Sequence, residues 1–209
     1  MIITWIIIIF TAAVSIPAFG NKELFSRLRF NPYIIKEARQ WYRFFSYGLL
    51  HADWAHLAIN MFVLYSFGDQ VEFFMKYYFG AKGNLYFILL YTGGIILSVV
   101  PAFEKHKHDS WYNAVGASGA VSAIVFSSII FWPSSKIMFL LFPFPIPAAV
   151  FGILYLVYSA YMARRASDNI GHDAHFWGAL FGAVFTIALK PELAVMFVKQ
   201  ILTIFTNDY

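Results

Sequence analysis

The chain has 209 residues, of which 60% are hydrophobic, 21% aromatic and only 12% charged, with a mean hydropathy of +0.65. A soluble domain carries about 25% charged residues, so residues 1–209 read as one membrane-embedded domain. The absence of cysteine excludes disulfides, thiol nucleophiles and thiolate metal ligands, and the net charge of +4 is nowhere gathered into a cluster dense enough to bind nucleic acid.

The opening "MIITWIIIIFTAAVSIPAFG" lacks the positive n-region of a secretory signal. Roughly 20 apolar residues suffice to cross the hydrocarbon core, so a first span is expected at about 2–19. A long polar connection follows, "NKELFSRLRFNPYIIKEARQWYR". A second span is expected at about 53–68. It opens on "HADWAHLAIN". Asp53 suits an N-cap, which puts His56 in the first turn and His51 ahead of the helix. Asn60 lies four residues on, on the same face as His56. Polar side chains at membrane depth face the bundle interior or a cavity, either as glue between helices or as functional groups.

A third span is expected at about 84–102 and a fourth at about 116–132. The fourth begins at "GASGA", Gly116 to Ala120, and runs into Pro133. That leaves about 15 helical residues, or ~22 Å at 1.5 Å per residue, against a core about 30 Å thick. One end of this helix should therefore lie inside the membrane. The small residues around Ser118 fit close helix packing as well as chemistry. Pro143, Pro145 and Pro147 follow the fourth span, and a fifth is expected at about 146–163. A sixth, at about 174–189, opens with His175 and carries Gly178 and Gly182 on the same face. The tail, 191–206, is amphipathic and reads as an interfacial helix. The expected fold is an all-α membrane protein of six spans.

With six spans, the connections after spans one, three and five share one side of the membrane. His51 and His56, Ser118, and His175 all stand at span starts that open from that side. A serine needs an adjacent base to act as a nucleophile, and neutral imidazole serves near pH 7. A developing oxyanion needs donors aimed at it. The Ser118 N–H, at an unsatisfied helix N-terminus, and the His56 and Asn60 side chains are the candidates. No carboxylate is placed as a third triad member, and Asp173 reads as a helix cap.

Three motifs in this order carry a family resemblance. They are His51-x-x-x-x-His56-x-x-x-Asn60, Gly116-Ala117-Ser118-Gly119 and Ala174-His175-x-x-Gly178. From about Trp41 to Gly182 the chain resembles the rhomboid intramembrane serine proteases. "WYRFF" is similar to the family's Trp-Arg element, with Tyr42 inserted before Arg43, and "GDQVE" to its Gly-x-x-x-Glu, here Gly68 to Glu72. The resemblance implies a six-helix rhomboid bundle that hydrolyses peptide bonds in or beside transmembrane segments of membrane proteins. It implies Ser118 as nucleophile, His175 as general base and acid, and an oxyanion and substrate-binding site at His56, Asn60, Gly116 and the Ser118 amide. His51, Gly119, Gly178, Arg43 and Glu72 are supporting residues on this reading, with Arg43 and Glu72 structural. It implies no metal and no cofactor, with the lipid bilayer and membrane-protein substrates as partners.

One position departs from the family pattern. Some members have an aromatic residue one turn after the nucleophile, where its ring packs on the catalytic histidine; this chain has Ser122. Trp177, Phe126 or a first-span ring is the expected substitute. The lysine and arginine count also runs against the family. The first, third and fifth connections are the more basic, which by the positive-inside rule would turn the site towards the cytoplasm. The family resemblance instead implies an outward-opening site, in the plasma membrane of a bacterium. Competing readings are a catalytically inactive relative that binds or dislocates membrane proteins, and a histidine-based proton relay.

Overall fold

The computed structural model describes residues 2–139, 142–165 and 171–206. Each of the six apolar segments contains a helix. These are α1 (Ile3–Gly20), α5 (Trp54–Phe79), α6 (Gly83–Ser98), α8 (Ser118–Phe131), α9 (Ala148–Arg165) and α10 (His172–Leu189). Short helices α2 (Lys22–Leu28), α3 (Pro32–Ala38) and α4 (Arg43–Ser46) build the first connection, and α7 (Val100–His106) begins the third. The tail is a strongly amphipathic helix, α11 (Glu192–Thr206).

The expected ends of the second and third spans move. The second span was expected to end near residue 68, but α5 runs to Phe79. The polar stretch "DQVE" stays helical because Glu72 is buried and paired one turn on with Lys76, at 3.0 Å. The third span ends early, at Ser98. Pro101 has no N–H to continue the ladder, and a new helix starts with it in its first turn. The expected polar connection at 166–170 lies outside the described residues.

The fold is also not purely helical. Between α8 and α9 the chain forms an antiparallel hairpin, β1 (Lys136–Phe139) with β2 (Phe142–Pro147), paired Lys136 to Pro147 and Ile137 to Ile146. This corrects the all-α expectation and moves the start of the fifth helical segment from 146 to Ala148. The segment "FPFPIP" places proline at every second residue. Alternate N–H groups of a strand point to opposite edges, so the missing donors all fall on the edge away from β1.

α1 and the helical run Trp54–His106 are long and apolar enough to cross a membrane, with mean hydropathies of 2.1 and 2.0. The chain is an integral membrane protein. α10 and α11 qualify only as a pair, bent by 115° at their junction.

α8 is the hub. Every residue from Gly119 to Phe131 is buried, so the helix is enclosed on all sides by α5, α6, α9 and α10. Small residues permit this. A Cβ on Gly94 of α6 would lie 2.9 Å from the Cα of Ala120, and one on Gly182 of α10 would lie 2.6 Å from the Cα of Ala123. Hydroxyls then join the helices. Thr186 donates to Gly182 O at 2.8 Å and its oxygen accepts from Ser127 at 2.8 Å, and Ser128 donates to the Gln70 side chain on α5.

α1 is tied to α5 by one carboxylate. Glu72 accepts from the N–H groups of Ile2 (3.0 Å), Ile3 (3.4 Å) and Thr4 (3.1 Å), and from the Thr4 hydroxyl (3.1 Å). Those donors are the unsatisfied first turn of α1, so Glu72 caps a helix from another helix.

Candidate active site

Backbone constraints position Ser118. Ala114 pairs with Phe30 in an isolated antiparallel bridge, and the Gly116 N–H donates to the Tyr47 carbonyl at 3.0 Å. Gly116 has φ +121°, a conformation that a side chain would strain. Ala117 then serves as N-cap without a side-chain hydrogen bond, and Ser118 is the first residue of α8. The N–H groups of this first turn have no intrahelical acceptor.

The first connection holds this segment from outside. The Arg43 Nη1 donates to the carbonyls of Ser26 (2.9 Å) and Arg29 (2.7 Å), and its Nε to the Gln40 side chain (2.7 Å). Ser46 donates to Leu28 O at 2.8 Å, and the Asn31 side chain donates to Ser110 O and to Asn113. Buried Arg43 thus fastens α4 to α2, and Asn31 fastens the first connection to the third.

His56 lies directly over Gly116. A Cβ at Gly116 would sit 2.7 Å from the imidazole Cε1 and 2.9 Å from Nε2. Asp53 caps α5 through the His56 N–H at 2.7 Å. The His56 Nδ1 accepts a long bond from the Ala52 N–H, at 3.4 Å. A neutral ring accepting at Nδ1 carries its proton on Nε2, so the nitrogen above Gly116 is a donor. Asn60 is buried one turn below and donates one amide hydrogen to His56 O at 3.0 Å. Its second hydrogen is not used by that bond.

His51 is buried behind His56, with ring centroids 4.9 Å apart and planes at 73°. Ser15 of α1 spends its single hydroxyl proton on Leu49 O at 2.6 Å. Ser15 Oγ therefore accepts from His51 Nδ1 at 2.9 Å. The His51 Nε2 carries the lone pair and has no hydrogen-bond partner. Burial, and secondarily the neighbouring His56, push the His51 pKa down to about 3.

α10 meets α8 backbone to backbone. A Cβ on Gly178 would fall on the Gly119 carbonyl, and a Cβ on Gly119 would meet the Ala174 carbonyl oxygen at 3.3 Å. Gly119 is thus level with the turn from Ala174 to Gly178. Ser118, the first residue of α8, and His175, the fourth of α10, are each adjacent in sequence to one of these contacting residues.

The aromatic partner of His175 is Tyr155 on α9, rather than Trp177, Phe126 or a first-span ring. The two rings stack with centroids 6.3 Å apart and planes at 28°. The Tyr155 hydroxyl is hydrogen-bonded to Ser122 Oγ at 2.6 Å. One turn further along α9, Tyr158 meets His172 edge-on at 5.6 Å, and His172 in turn meets His175 at 5.9 Å. The sequence gives no local signal for Tyr155 or Ser15, because each acts from a separate helix. His172 is three residues before His175, on the same face, and that spacing marks it. Among the described residues, no group of three or more His, Asp or Glu could hold a metal ion.

The family model for the rhomboid domain matches residues 38–192. The chain belongs to the rhomboid family. Its relatives include the mitochondrial RHOMBOID-like protein 12 of Arabidopsis thaliana, 30% identical over 142 residues, 64% of this chain and 42% of that protein. The chloroplastic Rhomboid-like protein 11 of the same plant is 30% identical over 165 residues, 73% of this chain and 54% of that protein. The Rhomboid protease GluP of Bacillus subtilis is 29% identical over 164 residues, 78% of this chain and 29% of that protein. The chain therefore spans about half the length, or less, of these curated relatives. Rhomboids generally act as serine proteases on membrane proteins within the bilayer. The rhomboid match contains every candidate residue from Arg43 to Gly178.

Proposed function

We propose that this chain is an intramembrane serine protease that uses a Ser118–His175 dyad. The contact of Gly119 with Gly178 carries the reading, because it sets the start of α8 against α10 one turn from His175. Ser118 Oγ attacks the scissile carbonyl carbon while His175 takes its proton. The oxygen gains charge and accepts hydrogen bonds from the Ser118 N–H, His56 Nε2–H and the second hydrogen of Asn60 Nδ2. The C–N bond breaks as His175 returns the proton to the leaving amine, and water then releases the acyl group by the same steps.

The same reading has six membrane crossings, by α1, α5, α6, α8, α9 and α10, with α11 lying in the interface. α8 has 14 residues, about 21 Å, which supports a serine end sunk below the membrane surface. We place the site on the outer side of a bacterial plasma membrane, with the B. subtilis relative supporting the membrane and the family resemblance the orientation. The chain is free of cysteine, so His108→Cys and Lys82→Cys can each be labelled alone. An impermeant maleimide on intact cells should label His108→Cys and spare Lys82→Cys; the opposite pattern reverses the orientation.

The deciding experiment is cleavage of a single-span substrate in liposomes. Ser118→Ala should abolish cleavage, and a fluorophosphonate should label Ser118 only while His175 is present. Undiminished cleavage by Ser118→Ala sinks the dyad. A folded wild-type protein that neither cleaves nor labels favours the inactive, client-binding reading.

A further inference from the structure

We propose that Tyr155 is the positioning residue for His175, holding its ring from α9 by stacking while anchored to the nucleophile's own helix through Ser122. This inference rests on the dyad proposed above.

Ser122 is four residues after Ser118, so the two hydroxyls lie on one face of α8. The 2.6 Å bond from Ser122 to the Tyr155 hydroxyl fixes the far end of the phenol to that face. The ring of the same tyrosine lies against His175, at 6.3 Å and 28°. One side chain therefore spans from the helix of the nucleophile to the ring of the base. The tyrosine is itself packed, with Phe126 of α8 at 5.6 Å and Phe151 of α9 at 5.7 Å. Gly152, one turn earlier on α9, lets the helix approach α8; a Cβ there would meet Ile129 Cδ1 at 3.2 Å.

The pairing repeats one turn along. Tyr155 and Tyr158 on α9 face His175 and His172 on α10, in the order antiparallel helices require. Two consecutive matched pairs make Tyr155 part of a seam rather than an isolated contact. Ile153 and Val157, on the opposite face of α9, are exposed, while Tyr158, at the edge of the seam, is itself exposed. Tyr155 and its neighbours on that seam are what α9 turns towards the proposed dyad.

Stacking restricts rotation of the imidazole plane, and a misplaced general base costs rate rather than binding. The test is cleavage of a single-span substrate by Tyr155→Leu, Tyr155→Met and Tyr155→Phe, with Ser118→Ala in parallel. Tyr155→Leu should lower kcat by ~10–100-fold with KM within about twofold, and should move the acid limb of the kcat/KM profile. Tyr155→Phe keeps the ring and should recover most of the loss. Tyr155→Met, close to Leu in volume but flexible enough to fill an irregular gap, is a second ringless variant that guards against a Leu variant that merely fails to fold. Wild-type kcat in Leu and Met overturns the proposal. So does a loss that follows the folded fraction with an unmoved acid limb, or a Phe variant as poor as Leu. If Ser118→Ala still cleaves, the dyad itself fails and the role of Tyr155 falls with it.

Discussion

The carbonyl of Gly119 occupies the space that a side chain at Gly178 would need. This contact joins α8 to α10 immediately beside Ser118 and one turn from His175. The obstacle is backbone, which cannot rotate away as a flexible side chain can. Gly178→Ala should therefore part the two helices, costing about 1–3 kcal/mol of stability. It should also reduce cleavage by ~100-fold, since a shift near 1 Å between reacting groups has that effect. Gly20 has nothing within 4 Å of an added Cβ and is the control for Gly-to-Ala substitution. Equal activity of Gly178→Ala and Gly20→Ala would contradict this account.

Glu72 should matter for stability and not for chemistry. It gathers four donors from the start of α1 and pairs with Lys76. Glu72→Ala removes a cap and a favourable charge at a helix N-terminus, about 2 kcal/mol together. Thermal unfolding in detergent should shift down clearly, while kcat measured well below the transition stays near wild type. Glu23→Ala, which breaks an exposed pair with Arg27, should shift it far less.

His51 should make the fold acid-sensitive. Its buried Nε2 faces no acceptor, so a second proton there would have nothing to bind. With a folded pKa near 3 against an unfolded value of about 6.5, the unfolded chain binds a proton between these limits and the folded chain does not. Stability then rises with pH across that window and is lost as pH falls from about 6.5 towards 3. The slope is at most about 1.4 kcal/mol per pH unit. Melting curves from pH 4 to 7 should be flatter for His51→Gln than for wild type; parallel curves would remove His51 from this role.

The donors proposed for the oxyanion make a separate demand. His56 is set by Asp53, Ala52 and Gly116 so that Nε2–H is the free donor. His56→Ala should lower kcat by ~10²–10³ with little change in KM. Asn60→Ala should do the same to a similar or smaller extent. Loss of substrate affinity alone, with kcat retained, would assign these residues to binding instead.

Local pattern and spacing carried much of this protein. Apolar run lengths gave the six helical segments, Asp53 announced the start of α5, and Gly178 and Gly182 marked the face of α10 that meets a neighbour. Those features depend on nearby residues alone, because hydropathy, capping and helical period act within a few turns. The hairpin was missed although its alternating prolines were visible, since a strand needs a partner strand to exist. Glu72 capping α1, Ser15 orienting His51 and Tyr155 stacking on His175 each join residues more than 15 positions apart. No local rule selects such partners. The sequence by itself determined which groups could be buried and where the candidate nucleophile would begin its helix; the helix of the candidate base starts three residues before it, at His172. Only the packing of α1 against α5 and of α8 against α9 and α10 decided which side chains meet, because helix-to-helix approach, at α8 through a few glycines, sets that geometry.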